Sequence, residues 1–269
     1  KTHRVNQIVG QSPVFMMKRK ERLLNMSEYN FRLVESYENI MKSVPSNFKP
    51  TLVRYKQRLS FVHKAGTHRV DLTAVKSNTS TDVTYEVELE LLNPSAFNAS
   101  SFHSVNETVT HIMRVIQNSK FIITNSFSDE LLSSYAMMTN ERYPKFTGPL
   151  PVTLSKQELV DGKLSCGYSV TDKADGIRYH FVINQKHHTF FVGRSKSKVM
   201  SVQYIGICKD LPKLSILDGE LIGTVFYVFD AIIVGNKDVS NLNLKERIEQ
   251  CSAFIKTHSH SSLKTNKNL

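Results

Sequence analysis

Three stretches of this chain set charged or polar residues against mostly apolar ones with a period of two, and that alternation constrains the fold more than any other feature. RYKQRLSF places Arg54, Lys56, Arg58 and Ser60 on one face, and HRVDLTAV sets Arg69, Asp71 and Thr73 against Val70, Leu72 and Ala74. YEVELELL sets Glu86, Glu88 and Glu90 against Val87, Leu89 and Leu91, and KRKERLL repeats the period with Lys18, Lys20 and Arg22. Successive side chains of a strand point to opposite faces, so each stretch predicts a strand with one charged face. Residues 104–118 then switch to helical period. Ser104 and Glu107 read as a capping box, and Val105, Val109, Ile112 and Ile116 form one apolar stripe. A second helix is predicted over about 129–138.

The charges are segregated by strand. Glu86, Glu88 and Glu90 project from one face in steps of roughly 6–7 Å, so something positive should face them. A divalent cation is one candidate, because Mg2+ and Mn2+ prefer carboxylate oxygens. The other reading is a solvated sheet face with salt bridges to neighbouring strands. The basic strands supply Lys56, Arg58 and Arg69, and a metal-bound triphosphate would fit between the two kinds of wall.

RYKQRLSF, HRVDLTAVK and YEVELELL resemble the last three catalytic strands of the triphosphate tunnel metalloenzymes, the RNA triphosphatases of fungal and large-DNA-virus capping enzymes. The resemblance covers about residues 50–92, and implies a β barrel with metal at Glu88 and Glu90 and Glu86 orienting the attacking water. It implies Lys56, Arg58 and Arg69 on the phosphates and Asp71 supporting the basic groups. NFRLVESYE, with Arg32 and Glu35, and KRKERLL would belong to earlier tunnel strands. Residues 1 to 20 contain no acid, so the family's first Glu-x-Glu strand is expected upstream of Lys1.

The second half carries TDKADGIR at 171–178. Asp-Gly between lysine and arginine reads first as a turn. The company it keeps points elsewhere: FFVGRSKSK with Arg194, LDGELIG with Asp218, Gly219 and Glu220, and VFYVFDAIIVG with Asp230 follow in order. Together these resemble motifs I, III and IIIa of the covalent nucleotidyltransferases, the superfamily of capping guanylyltransferases and nucleic-acid ligases. The resemblance implies that Lys173 attacks the α-phosphate of GTP to give a lysyl–GMP adduct. It implies Arg178 and Glu220 on the ribose, Asp175 and Gly176 fixing the loop, and Arg194 near the ribose or phosphates. Phe229 is expected on the guanine, with Tyr227 second, and Asp230 closes the motif. Neighbouring cations and bound substrate are expected to lower the pKa of Lys173. Two later motifs of the superfamily are not in this sequence.

The turn-rich TNERYPKFTGPLP, residues 139–151, marks a boundary between a triphosphatase-like domain over 1–140 and a guanylyltransferase part over 141–269. The fold class is α+β: a partial antiparallel tunnel barrel with packing helices, then an antiparallel nucleotidyltransferase sheet with helices. The order matches the multifunctional capping enzymes of nucleocytoplasmic large DNA viruses and cytoplasmic linear plasmids, some of which continue into a cap methyltransferase. The implied substrates are GTP and RNA with a 5′-triphosphate or diphosphate end, with Mg2+ or Mn2+. A downstream methyltransferase region or a partner subunit is a further expectation, and this stretch alone is expected to be inactive or nearly so. A formal charge of +11 suits a polyanionic partner. Cys166, Cys208 and Cys251 form no CxxC pair, which favours a reducing, cytoplasmic setting. Asn78, Asn98 and Asn106 are then chance sequons, and no run is long enough to span a membrane. His187, His188, His258 and His260 read as surface residues. An ATP-dependent ligase and a non-catalytic basic RNA-binding protein remain open alternatives.

Overall fold

A computed structural model describes residues 2–149, 153, 155–161, 173–194, 200–258 and 263–265. The chain divides into two compact units, Lys1–Val115 and Ile116–Leu269. Both are built mainly from antiparallel strands, the first as its alternation predicts.

The first unit contains two three-stranded sheets. Strands β1 (Thr2–Asn6), β2 (Val14–Met26) and β3 (Phe31–Met41) form one, in that order. Strands β4 (Arg54–Val62), β5 (His68–Ser77) and β6 (Val83–Leu91) form the other, with β5 central. Among the described residues no strand pairing joins the two sheets, so they stand open and do not close a barrel. In β2 the ladder shifts between Lys20 and Arg22, where Glu21 is the extra residue of a bulge. The Lys18-Lys20-Arg22 alternation is therefore interrupted, because a bulge turns the next side chain to the other face.

Helix α1 spans Ala99–Gln117 and starts five residues before the predicted capping box. Asn98 is the reason: its Oδ1 accepts the Ser101 amide at 3.0 Å. Glu107 pairs with His103 on the helix surface instead of capping. Met113 is the buried anchor, and Ile116, expected in the stripe, is 63% exposed. At the other end His68 is buried, with Nε2 at 2.9 Å from the Thr108 hydroxyl and its ring stacked on His63 at 4.6 Å. These contacts fasten α1 to the β4–β5 hairpin.

The second unit begins with α2 (Asn125–Met138), which starts four residues before 129 because Thr124 caps it by accepting the Phe127 amide. A short α3 (Lys156–Val160) follows. Then come β7 (Ile177–Ile183), β8 (His188–Arg194), β9 (Met200–Ile207), β10 (Ser215–Ile222), β11 (Val225–Val234), β12 (Lys237–Asp238), α4 (Leu244–His258) and β13 (Leu263–Thr265). They make a seven-stranded sheet ordered β12-β11-β10-β7-β8-β9, with β13 on β11. Alternation divides its side chains. Phe181, Leu217, Phe226 and Val228 pack with Cys251 and Phe254 of α4, whereas Val182, Phe190, Val192 and Ile216 pack with Leu131 and Tyr135 of α2. His187 and His188 are half-buried rather than surface residues. His187 takes a left-handed conformation in the β7–β8 turn, and His188 Nδ1 lies 2.9 Å from the Tyr204 hydroxyl. Cys166 and His260 lie outside the described residues, as does the side chain of His258. No described helix is long and apolar enough to cross a membrane.

Candidate active site

The charged face of β4–β6 is the first candidate. Strand register aligns Arg58 with Thr73 and Glu86, Ser60 with Asp71 and Glu88, and Val62 with Arg69 and Glu90. The basic and acidic strands thus flank β5, and their side chains meet above it. Asp71 lies at the centre, 1% exposed, accepting from Arg58 Nη1 at 3.0 Å and from Arg69 Nε at 2.9 Å. Burial alone would push its pKa up, but the Ser60 hydroxyl and the two guanidiniums outweigh it and hold the carboxyl below its ordinary value. Arg58 Nη2 continues to Glu88 at 2.7 Å and Arg69 Nη2 to Glu90 at 2.6 Å. Arg54 pairs with Glu86, and Lys56 Nζ stands 3.9 Å from it. Burial and then Arg54 lower the pKa of Lys56.

Every predicted member of this site is therefore present on one face, and the positive partner expected for the glutamates is a set of arginines. Arg54 is the member missed as a partner of Glu86. It stands in the same alternation as Lys56 and Arg58, which was the available signal. The two carboxylates expected at a metal are each held by a guanidinium, and no described group of three His, Cys, Asp or Glu side chains could hold an ion. Glu88 and Glu90 do not by themselves make a metal centre.

The second candidate lies on the α2 face of the large sheet. Lys173 precedes β7, and its ammonium contacts the Asp175 carboxylate. The pair is exposed, and Asp175 raises the lysine pKa by hydrogen bond and charge. Among the described residues no cation lowers it, and the nearest described charge belongs to an acid two residues away. Asp-Gly at 175–176 is not a hairpin turn. The Gly176 amide donates to Glu220 Oε2 at 2.9 Å, and a Cβ on Gly176 would meet the Leu221 carbonyl at 2.6 Å. Gly219 is equally confined, its Cβ position lying 2.4 Å from the Tyr227 carbonyl. Glycine in both motifs is thus demanded by close packing of β10 against its neighbours.

Arg178 sits opposite Glu220 in the β7–β10 register, and His180 sits opposite Asp218. Arg178 donates from Nε to Asp218 Oδ1 at 3.0 Å, and from Nη2 to Asp218 Oδ2 at 2.6 Å and the Pro149 carbonyl at 2.9 Å. Asp218 is buried; that burial opposes its charge, yet His180 and Arg178 hold its pKa down. The Arg178 guanidinium lies over the Phe229 ring, 5.7 Å from its centroid. Asp230 is taken by Arg247 of α4, at 2.6 Å to Nε and 3.0 Å to Nη2. Arg194 ends β8 in an exposed position, apart from these contacts. A cavity of about 450 Å³ opens beside the group, lined by Thr147, Gly148, Pro149, Asp218, Asp230 and Arg247 among others. The loop at 146–149, read from sequence as a domain boundary, is a wall of this site.

Two family models and a curated relative match this chain. The profile of the family described as "mRNA capping enzyme, catalytic domain" matches residues 111–268, and that of "mRNA capping enzyme, beta chain" matches residues 27–129. A "Probable mRNA-capping enzyme" of Acanthamoeba polyphaga mimivirus is 27% identical over 217 residues, which cover 77% of this chain. The matched stretch spans 18% of that relative's length.

Proposed function

Since the chain belongs to the mRNA capping enzyme family, we propose that its second unit carries the nucleotidyl-transfer site and its first unit the 5′-triphosphatase strands of one capping enzyme. The observation that carries the transfer reading is the anchored lysine loop: Gly176 is tied to Glu220, and Arg178 stands opposite Glu220 on the neighbouring strand. A fixed backbone aims Lys173 while leaving its side chain in solvent.

In this reading Lys173 Nζ loses a proton and attacks the α-phosphorus of GTP. The N–P bond forms, the bond to the β-phosphate oxygen breaks, and pyrophosphate leaves. A terminal oxygen of 5′-diphosphate RNA then attacks the same phosphorus, the N–P bond breaks, and the lysine regains its proton. Arg178 and Glu220 supply a donor and an acceptor to the ribose hydroxyls, Phe229 stacks on the base, and Arg194 approaches the phosphates. Asp175 and Gly176 shape the loop, and Asp230 steadies β11 against α4. In the first unit Lys56, Arg58 and Arg69 bind the RNA triphosphate, Asp71 supports the arginines, and Glu86 orients water toward the γ-phosphorus. Mg2+ or Mn2+ would neutralise phosphate charge, drawing on Glu88 and Glu90 only if Arg58 and Arg69 let go, and with donors beyond those two.

The test is adduct formation by the natural full-length protein. It is incubated with α-labelled GTP or ATP and either cation, then denatured. Label from GTP alone, lost in Lys173→Ala, is the expected result. Label from ATP alone would replace this reading with a ligase, and no label from either would remove the enzyme reading.

A further inference from the structure

The loop that walls the cavity is held by a ladder of rings. Tyr135 Oη lies 2.8 Å from His180 Nδ1 and 3.2 Å from the Thr147 hydroxyl. The His180 ring, fully buried, stacks on Phe146 at 4.0 Å and 27°. Phe146 in turn lies under the Arg178 guanidinium, 5.4 Å from its carbon to the ring centroid. Gly148 keeps the loop close. Its φ is +110°, and a Cβ there would stand 3.5 Å from Asp218 Oδ2 and 3.8 Å from Arg178 Nη2.

Arg178 is thus bracketed by two rings, Phe146 and Phe229, and tied at Nε and Nη2. A guanidinium has five N–H donors. Three are committed here, and the two on Nη1 have no hydrogen-bond partner among the described residues. That edge is all the arginine can offer a ligand. Glu220, an acceptor, stands on the adjacent strand. A donor edge beside a carboxylate suits a vicinal diol, whose hydroxyls both accept and donate.

We propose that Phe146 is a positioning residue for the nucleotide: with His180 and Tyr135 behind it, it fixes the Arg178 guanidinium so that Nη1 meets the ribose hydroxyls. The proposal rests on the transfer reading for its ligand, but its test does not need the chemical step. Equilibrium binding of GTP and 2′,3′-dideoxyGTP is measured on the natural full-length protein. Wild type binds GTP more tightly. Phe146→Leu keeps an apolar side chain but loses the ring face that holds a cation. It weakens GTP binding about 3- to 10-fold, the size of a partly desolvated cation–π contact, and leaves dideoxyGTP nearly unchanged. Phe146→Tyr restores the preference. Tyr135→Phe, which only removes the hydroxyl behind His180, narrows the preference in the same direction and decides the matter if the leucine variant does not fold. Equal weakening of both nucleotides, or a wild type indifferent to the hydroxyls, overturns the proposal. Selective GTP binding without any lysyl adduct would sink the transfer reading and leave this one standing.

Discussion

Replacing Asp71 by asparagine isolates what holds the charged face of the first unit together. The carboxylate is 1% exposed and takes bonds from Arg58 Nη1, Arg69 Nε and Arg69 Nη2, at 2.9–3.0 Å. Asparagine keeps the shape, but one acceptor oxygen becomes an amide NH2 aimed at a guanidinium N–H, and a buried counter-charge disappears. Removing one partner of a buried ion pair costs about 3–5 kcal/mol. Arg58 and Arg69 retain 32% and 29% exposure, so water screens part of the loss, and about 2–3 kcal/mol is expected. With a urea slope of roughly 1–3 kcal/mol/M, the unfolding midpoint should drop by about 1 M or more. Far-UV circular dichroism follows the transition, and hydrogen exchange of the β5 amides assigns it to this unit. Glu90→Gln is the control: Glu90 is 61% exposed and among the described residues is paired only with Arg69, so its loss costs no more than about 1 kcal/mol. The folded pKa of Asp71 is depressed, so its contribution is complete above its ordinary value of 3.8 and is lost as pH falls through the lower folded value. The gap between variant and wild type should close in acid. A variant as mild as Glu90→Gln at neutral pH would refute the argument that Asp71 organises the arginines.

Gly176→Ala should abolish at least nine-tenths of adduct formation and cost about 1–3 kcal/mol, because its Cβ would press on the Leu221 carbonyl; a fully active variant would show that the loop is not pinned. Asp175→Asn removes the group that raises the Lys173 pKa, so the rising limb of the adduct pH–rate profile should move to lower pH. An unmoved limb in kcat/KM, which reports the free enzyme, would mean that the pair is not present in the empty site. Burial, with His63 stacked beside it, holds the His68 pKa below 6.5, so the unfolded chain binds the proton more readily. First-unit stability should therefore be complete above about pH 6.5 and fall as pH drops toward the folded value, and thermal melts of His68→Gln should show a flatter pH dependence.

Sequence made the strands legible because alternation is a property of neighbouring residues. The runs at β4, β5 and β6 were found that way. Where structure depends on register or on a distant partner, the pattern was silent. The bulge at Glu21 broke an alternation that looked regular. Asn98 and Thr124 lengthened both helices by capping ahead of the apolar stripe. The short or irregular strands β1, β9 and β12 carry little periodicity of their own. At the sites, residue types and order did not give the pairings. Spacing cannot say that Arg58 spans to Glu88, or that Phe146 returns from a proline- and glycine-rich loop to lie on Arg178. Nor does spacing say that, among the described residues, the partner of Lys173 is the acid two residues on.

Both sites share an electrostatic arrangement that bears on how they would act. In the first unit Arg54, Arg58 and Arg69 are engaged by carboxylates, and in the second Arg178 and Arg247 are held by Asp218 and Asp230. Lys173, too, rests on Asp175. Cations neutralised in this way are not free anion traps, so a phosphate must exchange one anionic partner for another. Exchange of partners costs less reorganisation than capturing a bare charge from water, because the guanidinium donors are already oriented. It also orders the events. The exposed pairs, Lys173–Asp175 and Arg69–Glu90, can exchange with an incoming phosphate, while the buried carboxylates Asp71 and Asp218 remain as fixed anchors. In the proposed transfer reaction Lys173 would lose its acidic neighbour as substrate excludes water from it, and desolvation is what brings an amine down toward a reactive pKa. On that proposal, a lysine paired with Asp175 in the empty site becomes the nucleophile in the filled one.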